Sequence, residues 1–212
     1  MAGTMSQADL VADLKSSISD AANIFMSIDD ADFKRHIDHA ALDFSRVRPR
    51  SVLGSLSLVA DQHEYAAPAD IVMPKVSLWG RDEHRSLKPW ASNYPGRLPR
   101  LKLIDDAGTT KLWMDPAPTS DQMTLLGSTY QYTYLAAHVI DASAGNTTIK
   151  PSDRALLLLR AQAEAMKELA VRNMGKPVTL RDGMSGVPKN ATPAALYEQL
   201  MSQYLVLGGL AA

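Results

Sequence analysis

Seven of the twelve prolines lie between residues 68 and 118. Proline fixes its own φ and has no amide hydrogen to donate, so no helix of ordinary length can run through that stretch. Short strands joined by rigid turns can. The hydrophobic pattern agrees: its period is helical up to Val47, two between Ser51 and Ile149, and helical again from Ala155. Leu56 and Leu58 alternate with serines, and Leu101 and Leu103 with Arg100 and Lys102. Asp105-Asp106-Ala107-Gly108 reads as the turn of a hairpin whose second strand is Lys111 to Met114. Met123 to Leu135 reads as one long strand or a bent pair, with Tyr130, Tyr132 and Tyr134 on a single face.

Helices flank this region. Ser6 caps a first helix that repeats Leu10, Leu14 and Ile18 along a narrow face. Asp29 reads as the cap of a second, with Asp30 and Asp32 in its first turn. Phe33, Ile37, Ala40, Ala41, Phe44 and Val47 form its apolar stripe, and Pro49 stops it behind Arg46, Arg48 and Arg50. Ser152 reads as the cap of a third. Its apolar face, from Leu156 through Leu159, Ala163 and Met166 to Ala170 and widened by Leu157, Leu158, Ala165 and Leu169, needs more than one neighbour. Residues 173–192 show no period. Thr192-Pro193 then opens a last helix carrying Leu196, Leu200, Tyr204 and Leu207, closed by Gly208-Gly209.

The expected fold is therefore α+β: a helical bundle with an inserted small antiparallel β-sandwich or barrel and a tethered C-terminal helix. The expected divisions are a helical domain from 1–50 and 150–173, a β domain at 51–149, and a flexible arm at 174–212. An apolar helix on a tether must be buried, either on its own subunit or on a partner.

Few chemistries fit. With no cysteine there is no disulfide framework, thiolate metal site or cysteine nucleophile, which suits a chain made in a reducing cytosol. The first residues lack the basic and apolar regions of a signal peptide, and the longest aliphatic run, Ala155 to Leu159, is far short of a membrane span, so a soluble protein without membrane contact is expected. Gly175-Lys176 lacks the rest of a phosphate-binding loop, and Gly183-Met184-Ser185-Gly186 is one residue short of a nucleophile elbow. His36 and His39 share a helix face without a matching carboxylate beyond Asp43, Asp82-Glu83-His84 is too contiguous to converge on one ion, and Asp29 to Asp32 lack the distal part of a calcium loop. Glu164 and Glu168 read as a face paired by Arg160 and Lys167 rather than an acid–base couple. No cofactor, metal or catalytic constellation is expected, and an enzyme is not the expected reading.

Net charge is −1, but it is segregated: −5 over residues 1–32, +3 over 33–50, +4 over 75–111 and −3 over 112–149. Solvated faces explain such runs; so do complementary patches on subunits that meet in a ring. On the second view Asp29, Asp30 and Asp32 face Arg46, Arg48 and Arg50 of a neighbour.

The helix end Asp43-Phe44-Ser45-Arg46-Val47-Arg48-Pro49-Arg50 runs into Leu56-Ser57-Leu58-Val59-Ala60-Asp61-Gln62-His63-Glu64-Tyr65 and then Pro68-Ala69-Asp70. Leu112-Trp113-Met114-Asp115-Pro116-Ala117-Pro118 and the helix from Ala155 to Ala170 follow. This order, over roughly residues 6–172, resembles the head-to-tail connector (adaptor) proteins of tailed bacteriophages. The resemblance implies a virion structural protein made in the host bacterial cytoplasm. Its subunits would form a dodecameric ring in the neck, docked on the portal protein, extending the DNA channel and offering a platform to a downstream tail or nozzle protein. DNA would pass without sequence-specific binding. It implies no catalytic residue. Pro193, Leu196, Leu200, Tyr204 and Leu207 would be the portal-docking residues. Other readings are another virion part (tail completion or head decoration), an unrecognised enzyme, or a glycan-binding module whose β domain presents Trp79, Trp90, Trp113 and the three tyrosines.

Overall fold

The computed structural model describes residues 4–25, 28–174 and 192–209, which divide into a helical unit (residues 1–48 and 138–212) and a β unit (49–137). The fold is α+β, with six α-helices and two three-stranded antiparallel sheets among the described residues. Neither sheet closes into a barrel.

In the helical unit, α1 (Gln7–Ile18) starts on Ser6, whose Oγ accepts from the Asp9 amide at 3.2 Å. It buries Leu10, Val11 and Leu14. Two short 3-10 turns, Ser19–Ile24 and Ile28–Asp30, lead to α2 (Ala31–Val47). Here the sequence misleads. Asp29 and Asp30 both take positive φ, 55° and 59°, so neither adopts the extended backbone that lets a carboxylate cap the following amides. Asp30 makes no cap bond and pairs with Lys15 at 2.6 Å instead; only Asp32 lies in the first turn. The stripe is as expected: Phe33, Ile37, Ala40, Ala41 and Phe44 are buried.

The long helix α5 (Arg154–Asn173) is preceded by a 3-10 turn at Pro151–Asp153, so Ser152 lies inside that turn and does not cap. α5 packs on α1, α2 and α6 (Pro193–Gly208), which accounts for the width of its apolar face. Residues 138–149 divide with this unit: the Gln7 amide donates to Asp141 O at 3.0 Å and Ile149 is in the core. Residues 175–191, most of the stretch without a period, lie outside the described residues.

In the β unit, β1 (Arg50–Ser57), β6 (Thr129–Ala136) and β3 (Ile71–Ser77) form one sheet with β6 central; β2 (Glu64–Ala66), β5 (Thr109–Asp115) and β4 (Arg100–Asp106) form the other with β5 central. Both sheets feed one core that contains Leu58, Tyr65, Leu112, Met114, Tyr130 and Tyr132. The β4–β5 hairpin turns on Ala107 and Gly108, both at positive φ, as a two-residue turn between right-twisted strands demands. Pro74 is tolerated because β3 is an edge strand and its register slips there. Two further helices, α3 (Arg81–Ser86) and α4 (Ser120–Leu126), decorate the unit.

α4 corrects the expectation of a strand from Met123. Thr119 and Gln122 form a reciprocal capping box, and Gly127 at φ 84° ends the helix before β6 begins. Within β6 the three tyrosines are buried on one face. Gly54 of β1 lies opposite Tyr132, and a Cβ there would stand 2.6 Å from the ring. Gly54→Ala should therefore cost about 1–3 kcal/mol by overpacking, read as a lower denaturation midpoint for the β unit; an unchanged midpoint would mean the ring has room to retreat.

Candidate assembly surface

α6 is built to stay helical. Thr192 Oγ1 accepts from the Ala195 amide at 3.2 Å, Pro193 occupies the first turn, and Gly209 ends the helix in the left-handed region. It carries one charged residue, Glu198. A helix this rich in apolar residues needs a partner surface, and one side of it is covered. Tyr204 is 2% exposed, and Tyr197, Leu200 and Met201 pack beside it on the helical core. Those four follow i, i+3, i+4, i+7 spacing.

The expected docking residues therefore separate. Leu200 and Tyr204 are consumed inside this chain, because α5 offers them a socket, and cannot serve a partner while α6 is seated. Leu196 at 37% and Leu207 at 61% stay exposed, together with Leu205 at 39% and Val206 at 61%. Pro193 is half-buried at the helix start. The buried face shares Leu200 and Tyr204 with the Leu196-Leu200-Tyr204-Leu207 line but is turned towards Tyr197 and Met201. Of the two ways to bury this helix, on its own subunit or on a partner, the inner face takes the first. Its outer face carries Glu198, Gln199, Ser202 and Gln203, and its last turn exposes a short apolar strip, Leu205, Val206 and Leu207, that wraps around the helix end.

Arg48 fixes that strip. Its guanidinium donates to Asp153 Oδ1 at 2.8 Å and to the Leu207 carbonyl at 2.9 Å, joining the end of α2, the start of α5 and the negative end of α6. Tyr204 anchors it from below. Burial, and secondarily the Asp43 carboxylate, push the phenol up to about 12. Its Oη, like Arg160 Nη1, is buried with no hydrogen-bond partner.

The proposed acidic and basic interface residues are also spent at home. Arg46 pairs with Asp43 at 3.0 Å; Arg50 pairs with Asp70, which also accepts from Tyr134 Oη at 3.1 Å. Asp32 meets Arg35 at 2.9 Å and Arg172 at 3.3 Å. Asp30 holds Lys15, and Asp29 is exposed. The charge segregation seen in sequence is neutralised in part within the fold, and of these six residues Arg46 and Asp29 stay exposed.

α2 and α5 are laced by a lattice that local sequence spacing did not reveal. Glu168 accepts from Arg35 at 2.6 Å, His36 Nε2 at 2.7 Å and Arg172. Partial burial opposes its charge, but these donors hold its carboxyl at about 2. One turn away, Glu164 takes Arg160 at 2.9 Å and Lys167 at 3.2 Å, with His39 at 3.7 Å. Burial opposes ionisation there too, and the cations overcome it. Each glutamate is the counter-ion of at least two cations, which favours its ionised form. The signal in the sequence was two matched pairs, His36/His39 and Glu164/Glu168, on separate helices. Among the described residues no three His, Asp or Glu side chains gather to hold a metal.

The aromatic residues divide likewise. Trp79 is buried and donates to Gly127 O at 3.0 Å, and the tyrosine ladder is core, so neither offers a ring to a sugar. Trp113 stacks on His63 with ring centres 4.8 Å apart. Trp90 is 82% exposed.

No protein-family model matches the chain, and no curated protein matches it. Among solved structures, a chain of "Neck of native GTA particle computed with C12 symmetry" is 14% identical, with 90% of this chain and 86% of that chain covered. The TM-score is 0.26, too low for the likeness to carry an argument. No helix among the described residues is long and apolar enough to cross a membrane.

Proposed function

We propose that this chain is a structural subunit of the neck of a tailed-phage-like particle, working by assembly with copies of itself and with a portal. The observation that carries the reading is the strip of Leu205, Val206 and Leu207, joined to a sequence order from Asp43 to Ala170 that resembles phage adaptors. Apolar side chains on a helix held rigidly by Tyr204 and Arg48 form a preorganised surface, and covering it costs little conformational entropy. In this reading α6 stays seated on its own subunit and presents this strip to the portal. A closed ring extends the DNA channel, and the opposite face receives a tail or nozzle protein. The buried tyrosine ladder gives no support to the glycan-binding alternative.

The test is the mass of the purified chain, alone and mixed with a portal ring. The expected result is a complex holding many copies of the chain. The variant L205S/V206S/L207S should lose that complex while its melting temperature moves by no more than about 3 °C, since the three side chains are already exposed. A wild-type chain that stays monomeric in both conditions overturns the reading.

A further inference from the structure

Most guanidinium groups among the described residues are matched with carboxylates: Arg35, Arg46, Arg48, Arg50, Arg154, Arg160 and Arg172 each have at least one ion pair. Among the described residues three arginines have none, Arg81, Arg85 and Arg100, and all three line the same open cleft of the β unit, about 390 Å³ in volume. Arg97 lines it too, with its nearest carboxylate, Asp115, 4.0 Å away and its own side chain mostly exposed.

The cleft is a built feature. Arg81 and Arg85 are one turn apart on α3 and so share a face. Arg100 opens β4, three residues after Arg97. Tyr94 Oη lies 2.8 Å from His84 Nε2, which ties the connection between α3 and β4 back onto α3. Gly80 lets α3 sit low: its φ is +63°, and a Cβ there would stand 2.5 Å from Leu126. Trp79, fixed through its indole bond to Gly127 O, lies beneath.

We propose that this cleft binds the phosphodiester backbone of a nucleic acid, independently of base sequence. Four guanidiniums, three of them without a carboxylate and the fourth only loosely paired, suit oxyanions that recur along a chain, since a guanidinium fork can take one phosphate with two parallel hydrogen bonds. One isolated anion would leave the remaining charges uncompensated; a polyanion would not. The exposed Trp90, on the connection between α3 and β4, adds an aromatic face of the kind that stacks on bases. This inference stands on the unmatched arginines and does not need the neck reading.

The experiment is fluorescence anisotropy of the full chain with a labelled 20-base-pair duplex. Contact with three to four phosphates should weaken binding roughly 50- to 150-fold between 50 and 200 mM salt, with no preference among unrelated sequences. The variant R81Q/R85Q/R100Q should lose at least 10-fold in affinity at 50 mM salt and show a much flatter salt dependence. If that variant melts early, the single variants are read instead, each flattening the slope by about 0.9. No binding by the wild type at 50 mM salt overturns the proposal, as does unchanged binding by a folded triple variant. Polyglutamate displacing the duplex more effectively than unlabelled duplex does would assign the cleft to an acidic protein and overturn it equally. Every one of these readouts is made on the isolated chain, so failure here leaves the portal test untouched.

Discussion

Tyr204→Ala should destabilise the helical unit by about 3–5 kcal/mol, while Tyr204→Phe should be neutral or slightly stabilising. The two variants separate the ring from its hydroxyl. The ring is the one fully buried side chain of α6 and fills the socket that α5 offers, so truncation leaves a cavity and undocks the helix. The hydroxyl is buried without a partner, so its removal loses no hydrogen bond and relieves a desolvated group. Chemical denaturation followed by far-ultraviolet circular dichroism measures both. A loss above about 1 kcal/mol for the phenylalanine variant would show that Oη is satisfied through bound water; a loss below that for alanine would show that α6 is not anchored here. A pH signature accompanies the pair. Burial raises the folded-state phenol from about 10 to about 12, so its contribution is complete below pH 10 and is lost as pH climbs towards 12. Tyr204→Phe should remove that share of the alkaline loss and leave the share from Tyr130, Tyr132 and Tyr134, which burial also raises.

The same residue shows where sequence reasoning succeeds and fails. That α6 exists, where it starts and how it ends are written locally, in Thr192-Pro193 and Gly208-Gly209. Which side it buries is legible only in part: the polar face of Glu198, Gln199, Ser202 and Gln203 marks the outside, but aliphatic residues flank it on both sides, and the buried line takes Tyr197 and Met201 in place of Leu196 and Leu207. The hairpin at residues 100–115 was legible because its turn chemistry and alternation agree. The strand expected from Met123 was not, since Met123, Leu125 and Leu126 are too few to establish a period; the capping box at Thr119 and Gln122 was the better signal. The acidic run before α2 suggested a cap at Asp29, and two left-handed residues forbid it. Long-range pairing was the least legible. Arg48 reaches residues 105 and 159 positions away in sequence, and no spacing rule connects them. What the charge runs did carry was a difference between regions: the +3 segment finds partners at home, while part of the +4 segment does not.

The lattice between α2 and α5 leads to the second large effect. Glu168→Ala should cost on the order of 2 kcal/mol, because it removes the partner of His36 Nε2, which is 1% exposed with Phe25 and Phe33 edge-on to its ring, and one of the two carboxylates that Arg35 and Arg172 share. Asp32 still pairs with Arg35 and Arg172 in the variant, so the loss falls chiefly on His36, and Glu164 is already held by Arg160 and Lys167. Acid titration isolates the charge from the shape. Desolvation pulls the Glu168 carboxyl upward, and the donors from His36, Arg35 and Arg172 pull it further down, to about 2 from an ordinary 4.5. A depressed folded-state value means the stabilisation is complete above pH 4.5 and disappears as pH falls through that range towards 2. Denaturation midpoints measured from pH 7 down to pH 3 should therefore drop for the wild type. For Glu168→Gln, which keeps the shape and lacks the charge, they should start lower and fall less. Glu164 and Asp9, also depressed, give both proteins a shared slope, so the difference between the two curves is the measured quantity. If the curves run parallel, the carboxylate is not what holds α5 to α2, and packing of Ile37, Leu157 and Ala161 carries the contact alone.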